Sequence, residues 1–306
     1  MTPLHLAEPA VRACVLGGVV WELLRIARVR GASEERAAWL AVLIVSASLP
    51  FVLPLVRHLP GDALPALPYP PAALVDGSAW WVAAYLAVSA LLLARVAVGL
   101  IAAARLWTAA TPVPSLSGHV PVRASGRVRA PATIGGGILL PADWERWNPR
   151  QLDRVLVHER SHVRRGDFYW QLLAQLYRCV FWANPLGWWL VRRLSLLAEH
   201  LSDEATLAAH GDPAGYAEML VAFARRQCAP APAIAMARET SLSARVDRIL
   251  AWRSAHGPSR RRLLLAALVC VAAATAILPR LSTVPSGTLD PLPPMTERLP
   301  PLAPLQ

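Results

Sequence analysis

The residues with the clearest chemical potential are His158-Glu159-Arg160-Ser161-His162, an H-E-x-x-H pentad. In a helix, positions i and i+4 lie about 40° apart around the axis and one turn apart along it. Both imidazoles then reach a single tetrahedral zinc ion, and Glu159 between them can contact a water that the metal activates. Zinc lowers that water's pKa toward about 7, and the glutamate accepts its proton. Two surface histidines on an amphipathic helix would give the same letters without the chemistry. A catalytic site needs a third ligand, expected from a second helix. Glu199-His200-Leu201-Ser202-Asp203-Glu204 offers Glu199, with His200 and Glu204 as competitors. Asp203, one turn after Glu199, could orient a ligand histidine from outside. Asp167 could do the same, or serve a helix end, or pair with Arg164 or Arg165.

The elements that position these residues follow from composition and pattern. Of 306 residues, 55% are hydrophobic and 17% charged, with mean hydropathy +0.38. Globular proteins carry about 25% charged residues, so the chain is charge-poor, is excluded from bulk disorder and points to a membrane. The net charge is +11, and because lysine is absent all 31 cations are arginine. That excludes a P-loop lysine, a Schiff base, a kinase lysine and a serine–lysine acylation pair. The 4 cysteines form no C-x-x-C, so no zinc ribbon or redox motif is expected. The N-terminus carries no pattern of a cleaved signal peptide.

Four apolar stretches approach the roughly 20 residues needed to span a bilayer. They run from about Pro9 to Ala27, from Ala37 to Val56, from Ala79 to Trp107 and from Leu263 to Pro279. The first is weakened by Arg12, Glu22 and Arg25. Arginines cluster on alternate flanks, after the first and third stretches and, as Arg260-Arg261-Arg262, before the fourth. The inside-positive bias then puts the N-terminus outside, the middle segment in the cytoplasm and the tail outside. That bias also accounts for the positive charge, so no nucleic-acid partner is expected and the lipid bilayer is. The domain reading is three membrane helices with loops over 1–107, a cytoplasmic domain over 108–257, a fourth membrane helix over 258–280 and a Pro-rich tail over 281–306. The cytoplasmic segment opens with short strands broken by Gly and Pro and becomes helical from Pro149. A Gly-rich edge strand around Gly135–Leu140 could pair with an extended substrate, or be a structural strand with a bulge. Within the domain, the apolar run 168–194 is interrupted by Asn184-Pro185 and reads as two helices packed on the domain or lying at the membrane surface, with a membrane-embedded hairpin as the alternative.

The run His158-Glu159-Arg160-Ser161-His162-Val163-Arg164-Arg165-Gly166-Asp167 resembles the H-E-x-x-H-x-R-R-x-D signature of membrane antirepressor metalloproteases of the BlaR/MecR type. ATIGGGILLP resembles that family's strand before the zinc helix. WANPLGWWLVRRLSLLAEHLSDEA resembles its E-x-x-x-D-E segment, and SLSARVDRIL its R-x-x-x-I-L element. The resemblance covers essentially residues 10–280. It implies a mainly α, polytopic membrane protein with four transmembrane helices and a cytoplasmic α+β zincin-like domain. It implies Zn²⁺ held by His158, His162 and Glu199, with Glu159 catalytic. It further implies a bacterial inner-membrane location and cleavage of the protein itself or of a cytoplasmic winged-helix repressor, with a homodimer plausible for a membrane sensor. Two departures stand out. Arg160 and Ser161 replace the small apolar pair usual inside the motif. Only about 26 residues follow the fourth expected span, so the family's penicillin-binding sensor domain is not expected here. Two other readings compete: a housekeeping membrane protease similar to HtpX or the prenyl-protein proteases, and a non-catalytic receptor with a structural zinc. An intact Glu159 argues against the latter.

Overall fold

The structure is a computed structural model that describes residues 4–29, 31–57, 79–227 and 242–252. The fourth expected span and the Pro-rich tail lie outside the described residues. Three helices come first: α1 (Leu4–Ile26), α2 (Ala32–Arg57) and α3 (Ala79–Ala109). Four short strands follow: β1 (Thr111–Pro112), β2 (Val122–Ser125), β3 (Ala132–Ile134) and β4 (Gly137–Pro141). Then come α4 (Pro149–Arg165), α5 (Asp167–Val180), α6 (Pro185–His210) and α7 (Pro213–Gln227), with a further helix, α8, over 242–250. The described chain is therefore mostly helical.

Two of the described helices are long and apolar enough to cross a membrane, over Ala32–Val52 and Trp80–Ala109. The first expected span does form a helix, α1, but Glu8, Arg12, Glu22 and Arg25 interrupt it and it falls outside that pair. Along α3 the large apolar side chains face outward, with Leu91 71% and Val98 66% exposed. Its first turn presents the stacked pair Trp80 and Trp81. An apolar surface of this extent needs a cover other than water.

The sheet order is β1-β2-β4-β3, with β2 and β4 parallel and the outer pairs antiparallel. A strand with neighbours on both sides can bury a continuous apolar run, and Ile138, Leu139 and Leu140 are all 0% exposed. The Gly-rich run therefore splits differently from the expectation. Gly135, at φ 58, turns a β3–β4 hairpin, and Gly137 opens the interior strand β4. The sheet's edges are β1 and β3. A Cβ on Gly137 would lie 2.1 Å from the Trp107 ring, so this glycine lets the end of α3 rest on the sheet.

The main core joins α1, α2, α5 and α6 through Leu16, Trp39, Leu43, Ala174, Leu190 and Leu194. The helix pair of the 168–194 run thus packs against the first two helices. A second core places Val155 and Leu156 of α4 on Val122, Ile138 and Leu140 of the sheet. A small third cluster brings Ile249 of α8 onto Leu207 and Tyr216.

Substituting Gly137→Ala should cost about 1–3 kcal/mol by overpacking against Trp107. Gly136→Ala, where a Cβ meets nothing within 4 Å, should stay within about 0.5 kcal/mol of wild type. Thermal unfolding of the detergent-solubilised protein checks both.

Candidate metal centre

Helix α4 begins where the sequence predicts. The Asn148 side chain accepts from Arg150 N at 2.9 Å and Pro149 fills the first helical position. It ends at Gly166, whose φ of 63 is the left-handed conformation glycine adopts without a Cβ penalty. Because α5 starts at the very next residue, the turn returns Asp167 to the side of His162. Helix α6 is capped the same way, by Asn184 with Pro185.

Helices α4 and α6 pack closely where small polar residues meet. Ser161 and Ser202 are both 0% exposed and hydrogen-bond to each other at 2.9 Å. Arg160 donates to the Leu116 carbonyl at 2.9 Å. The two departures inside the pentad thus have their own partners and leave the histidines free.

This packing brings His158, His162 and Glu199 into one cluster, with ligand atoms within 4.8 Å of one another. The two Nε2 atoms are 3.3 Å apart, and each lies 3.7 Å from a Glu199 oxygen. Zinc bonds of about 2.0–2.2 Å at tetrahedral angles set ligand atoms about 3.3–3.6 Å apart, so the donor set fits that ion. The competitors lie elsewhere. For His200, burial and Arg248 push the pKa down to about 4. Burial raises the Glu204 carboxyl, partly offset by Arg248.

The outer faces of both rings are held. His162 Nδ1 lies 2.7 Å from Asp167 Oδ2. His158 Nδ1 lies 2.9 Å from the Tyr216 hydroxyl, which donates to Asp203 Oδ1 at 2.8 Å. A carboxylate only accepts, so the tyrosine hydrogen goes to Asp203 and its oxygen accepts from His158 Nδ1–H. Both Nε2 lone pairs then face the cluster, the tautomer a metal requires. Burial and the neighbouring Asp203 raise the Tyr216 phenol pKa, so it stays a donor.

Each outer carboxylate has an arginine. Arg245 of α8 donates to Asp203 at 2.7 and 3.0 Å and lies 2.9 Å from Glu199. Arg36 of α2 donates to Asp167 and to the Arg165 carbonyl. Asp167 therefore contacts the His162 ring, pairs with Arg165 and stands as the first residue of α5. Sequence reasoning missed Tyr216 and Arg36; Arg245 sat in a recognised motif without a role.

The electrostatics favour a cation. Burial opposes charging His158, yet its hydrogen bond to Glu199 and the charges of Glu159, Glu199 and Asp203 outweigh it and raise its pKa. Burial likewise opposes ionising Glu199, but His158 and Arg245 hold its pKa at about 2. Asp167 is kept below the usual carboxylate range: burial raises it, while His162, Arg36 and Arg165 pull it further down.

Glu159 is buried, and Thr133 of β3 donates to its Oε2 at 2.8 Å. The cluster, Glu159 and β3 all line a cavity of about 780 Å³. Such an arrangement can hold a divalent metal, place a general base beside it and present a strand edge to an extended chain.

Residues 77–249 match the peptidase M56 family, described as BlaR1 peptidase. A stretch of 83 residues is 31% identical to the Regulatory protein BlaR1 of Bacillus licheniformis. It covers 26% of this chain and 14% of that protein, so the chain spans only a small part of its relative's length.

Tyr216→Phe should weaken divalent-metal affinity about 10–100-fold, as loss of an outer hydrogen bond to a ligand histidine does. Competition against a chromogenic chelator measures it. Unchanged affinity would separate Tyr216 from the site.

Proposed function

This chain belongs to the BlaR1 peptidase M56 family, and from that premise we propose that it is an integral membrane zinc metallopeptidase acting in signalling. The observation that carries the reading is the His158–His162–Glu199 cluster with Glu159 beside it on one cavity.

His158, His162 and Glu199 would hold the ion. Zinc, when bound, supplies Lewis acidity that polarises a peptide carbonyl and lowers the pKa of water. Glu159, held by Thr133, accepts the proton of the attacking water and passes it to the leaving amine. Asp167, and Tyr216 with Asp203, keep both rings in the productive tautomer. The free edge of β3 lies along the cavity, where main-chain pairing would align an extended substrate.

The membrane reading rests on the family and on the apolar surfaces of α2 and α3. We extend it to four spans, with the catalytic segment 108–257 facing the cytoplasm and both termini outside. The substrate would be the protein itself, a cytoplasmic winged-helix repressor, or both. That choice takes up the regulatory role named for the relative from Bacillus licheniformis.

Co-expression of the full chain with a winged-helix repressor encoded beside it tests this. Wild type should cleave the repressor. Glu159→Gln should lose at least about a hundredfold in rate while keeping its metal. Cleavage at the wild-type rate by that variant would contradict the assignment.

A further inference from the structure

The cavity beside the metal centre has α3 and α5 as one wall. Its three lining carboxylates are all engaged at the centre: Glu159 by Thr133, Asp167 by His162 and Arg36, Glu199 by Arg245. Its arginines divide differently. Arg245 is paired with Glu199 and Asp203. Arg95 and Arg178 also line the cavity, yet neither has an ion pair or hydrogen bond among the described residues. Arg178 rests its guanidinium on the Trp188 ring, 4.6 Å from the centroid, and its buried Nε has no acceptor among the described residues. On the same helix, the buried Oε1 of Gln175 has no donor among the described residues.

The two helices run antiparallel. Tyr85 near the start of α3 donates to the Val180 carbonyl at the end of α5, at 2.6 Å. Further along α3, Gly99 shares the cavity with Phe168 at the start of α5. At about 1.5 Å per residue, Arg95 lies roughly 15 Å beyond Tyr85 and Gln171 roughly 14 Å before Val180. Arg95 is thus level with Gln171, one turn from Asp167. It is also the sole charge in the stretch from Ala79 to Ala104. An ionisable residue so placed is expensive unless it faces a polar cavity and meets an opposite charge there. The cavity wall supplies the first condition and no described carboxylate supplies the second.

We propose that Arg95 and Arg178 form a subsite on the α3–α5 wall of the cavity that receives the carboxylate side chain of an acidic residue, Asp or Glu, in the bound peptide. The Gln175 Oε1 is left to accept a peptide N–H. This deepens the peptidase reading and rests on it. Pairing with the half-buried Arg178 guanidinium, assisted by the exposed Arg95, favours the acid over its neutral isostere by about tenfold. The amide isostere leaves the arginines unpaired, which adds discrimination against it.

The test measures binding, which needs no turnover. The full chain carrying Glu159→Gln is loaded with zinc in phosphatidylcholine nanodiscs. The probes are capped hexa-alanine peptides in which one Asp, or one Asn, is walked through the six positions, read by anisotropy of an uncharged fluorophore. At one or two adjacent positions Asp should bind at least about tenfold tighter than Asn. Arg95→Gln and Arg178→Gln should each collapse that ratio toward one, Arg95→Lys should keep part of it, and Arg105→Gln should leave it intact. Zinc content reports that each variant is folded. Equal binding of Asp and Asn at every position would overturn the proposal, as would a preference that survives in both Gln variants. Loss of the preference in phosphatidylglycerol nanodiscs would also overturn it, assigning the arginines to anionic headgroups. If the Asp preference holds while the protein without the Glu159 substitution hydrolyses none of the peptides, the subsite stands and the peptidase reading falls.

Discussion

The position of two protons governs this site. His158 and His162 can offer Nε2 lone pairs to one ion only if both carry hydrogen on Nδ1, and that requires a fixed acceptor outside each ring. Asp167 is that acceptor for His162, and Tyr216 relays Asp203 to His158. Both aspartates are nearly buried, and a buried carboxylate needs a counter-charge. Arg36 and Arg245 supply it from α2 and α8. The need to orient two imidazoles thus recruits α2 and α8 into the candidate metal site.

The helical framework is arranged around that need. Gly166 makes the abrupt turn that brings Asp167 back to His162. The Ser161–Ser202 contact sets α4 close enough to α6 for Glu199 to face both rings. Arg36 sits near the start of α2, which packs on α6 through Trp39 and Leu43 and holds Arg193 through Glu35. A shift of α2 relative to α6 would therefore strain Asp167, the group that fixes the His162 tautomer. An apolar helix and a candidate metal ligand are connected through two side-chain contacts.

Local signals made the centre readable from sequence. His158, Glu159 and His162 share one helical period, and Glu199 and Asp203 repeat it on the next long helix. Asn148-Pro149 and Asn184-Pro185 mark helix starts by short-range hydrogen bonding that any reader of turn chemistry can see. The unread parts depend on long-range contacts. Tyr216 meets His158 across 58 residues and Arg36 meets Asp167 across 131, with no local period to announce either. Arg245 stood in a recognised motif, but its role appears only once α8 lies against α6. Of the two readings of the Gly-rich stretch the structural strand holds and the edge strand does not, because Gly135 is consumed by the turn, which makes β4 an interior strand and puts β3 at an edge. Of the expected membrane helices, α2 and α3 declare themselves by composition, whereas α1 is diluted by charge.

The central claim is that one divalent ion is held by His158, His162 and Glu199 with the rings oriented from outside. X-ray absorption at the zinc edge of the purified, zinc-loaded full chain tests it most directly. The account predicts one zinc per chain with only nitrogen and oxygen neighbours at about 2.0–2.2 Å, including the multiple scattering of two imidazoles. A spectrum requiring sulfur ligands, or one unchanged when Glu199 and His162 are replaced by alanine, would contradict it.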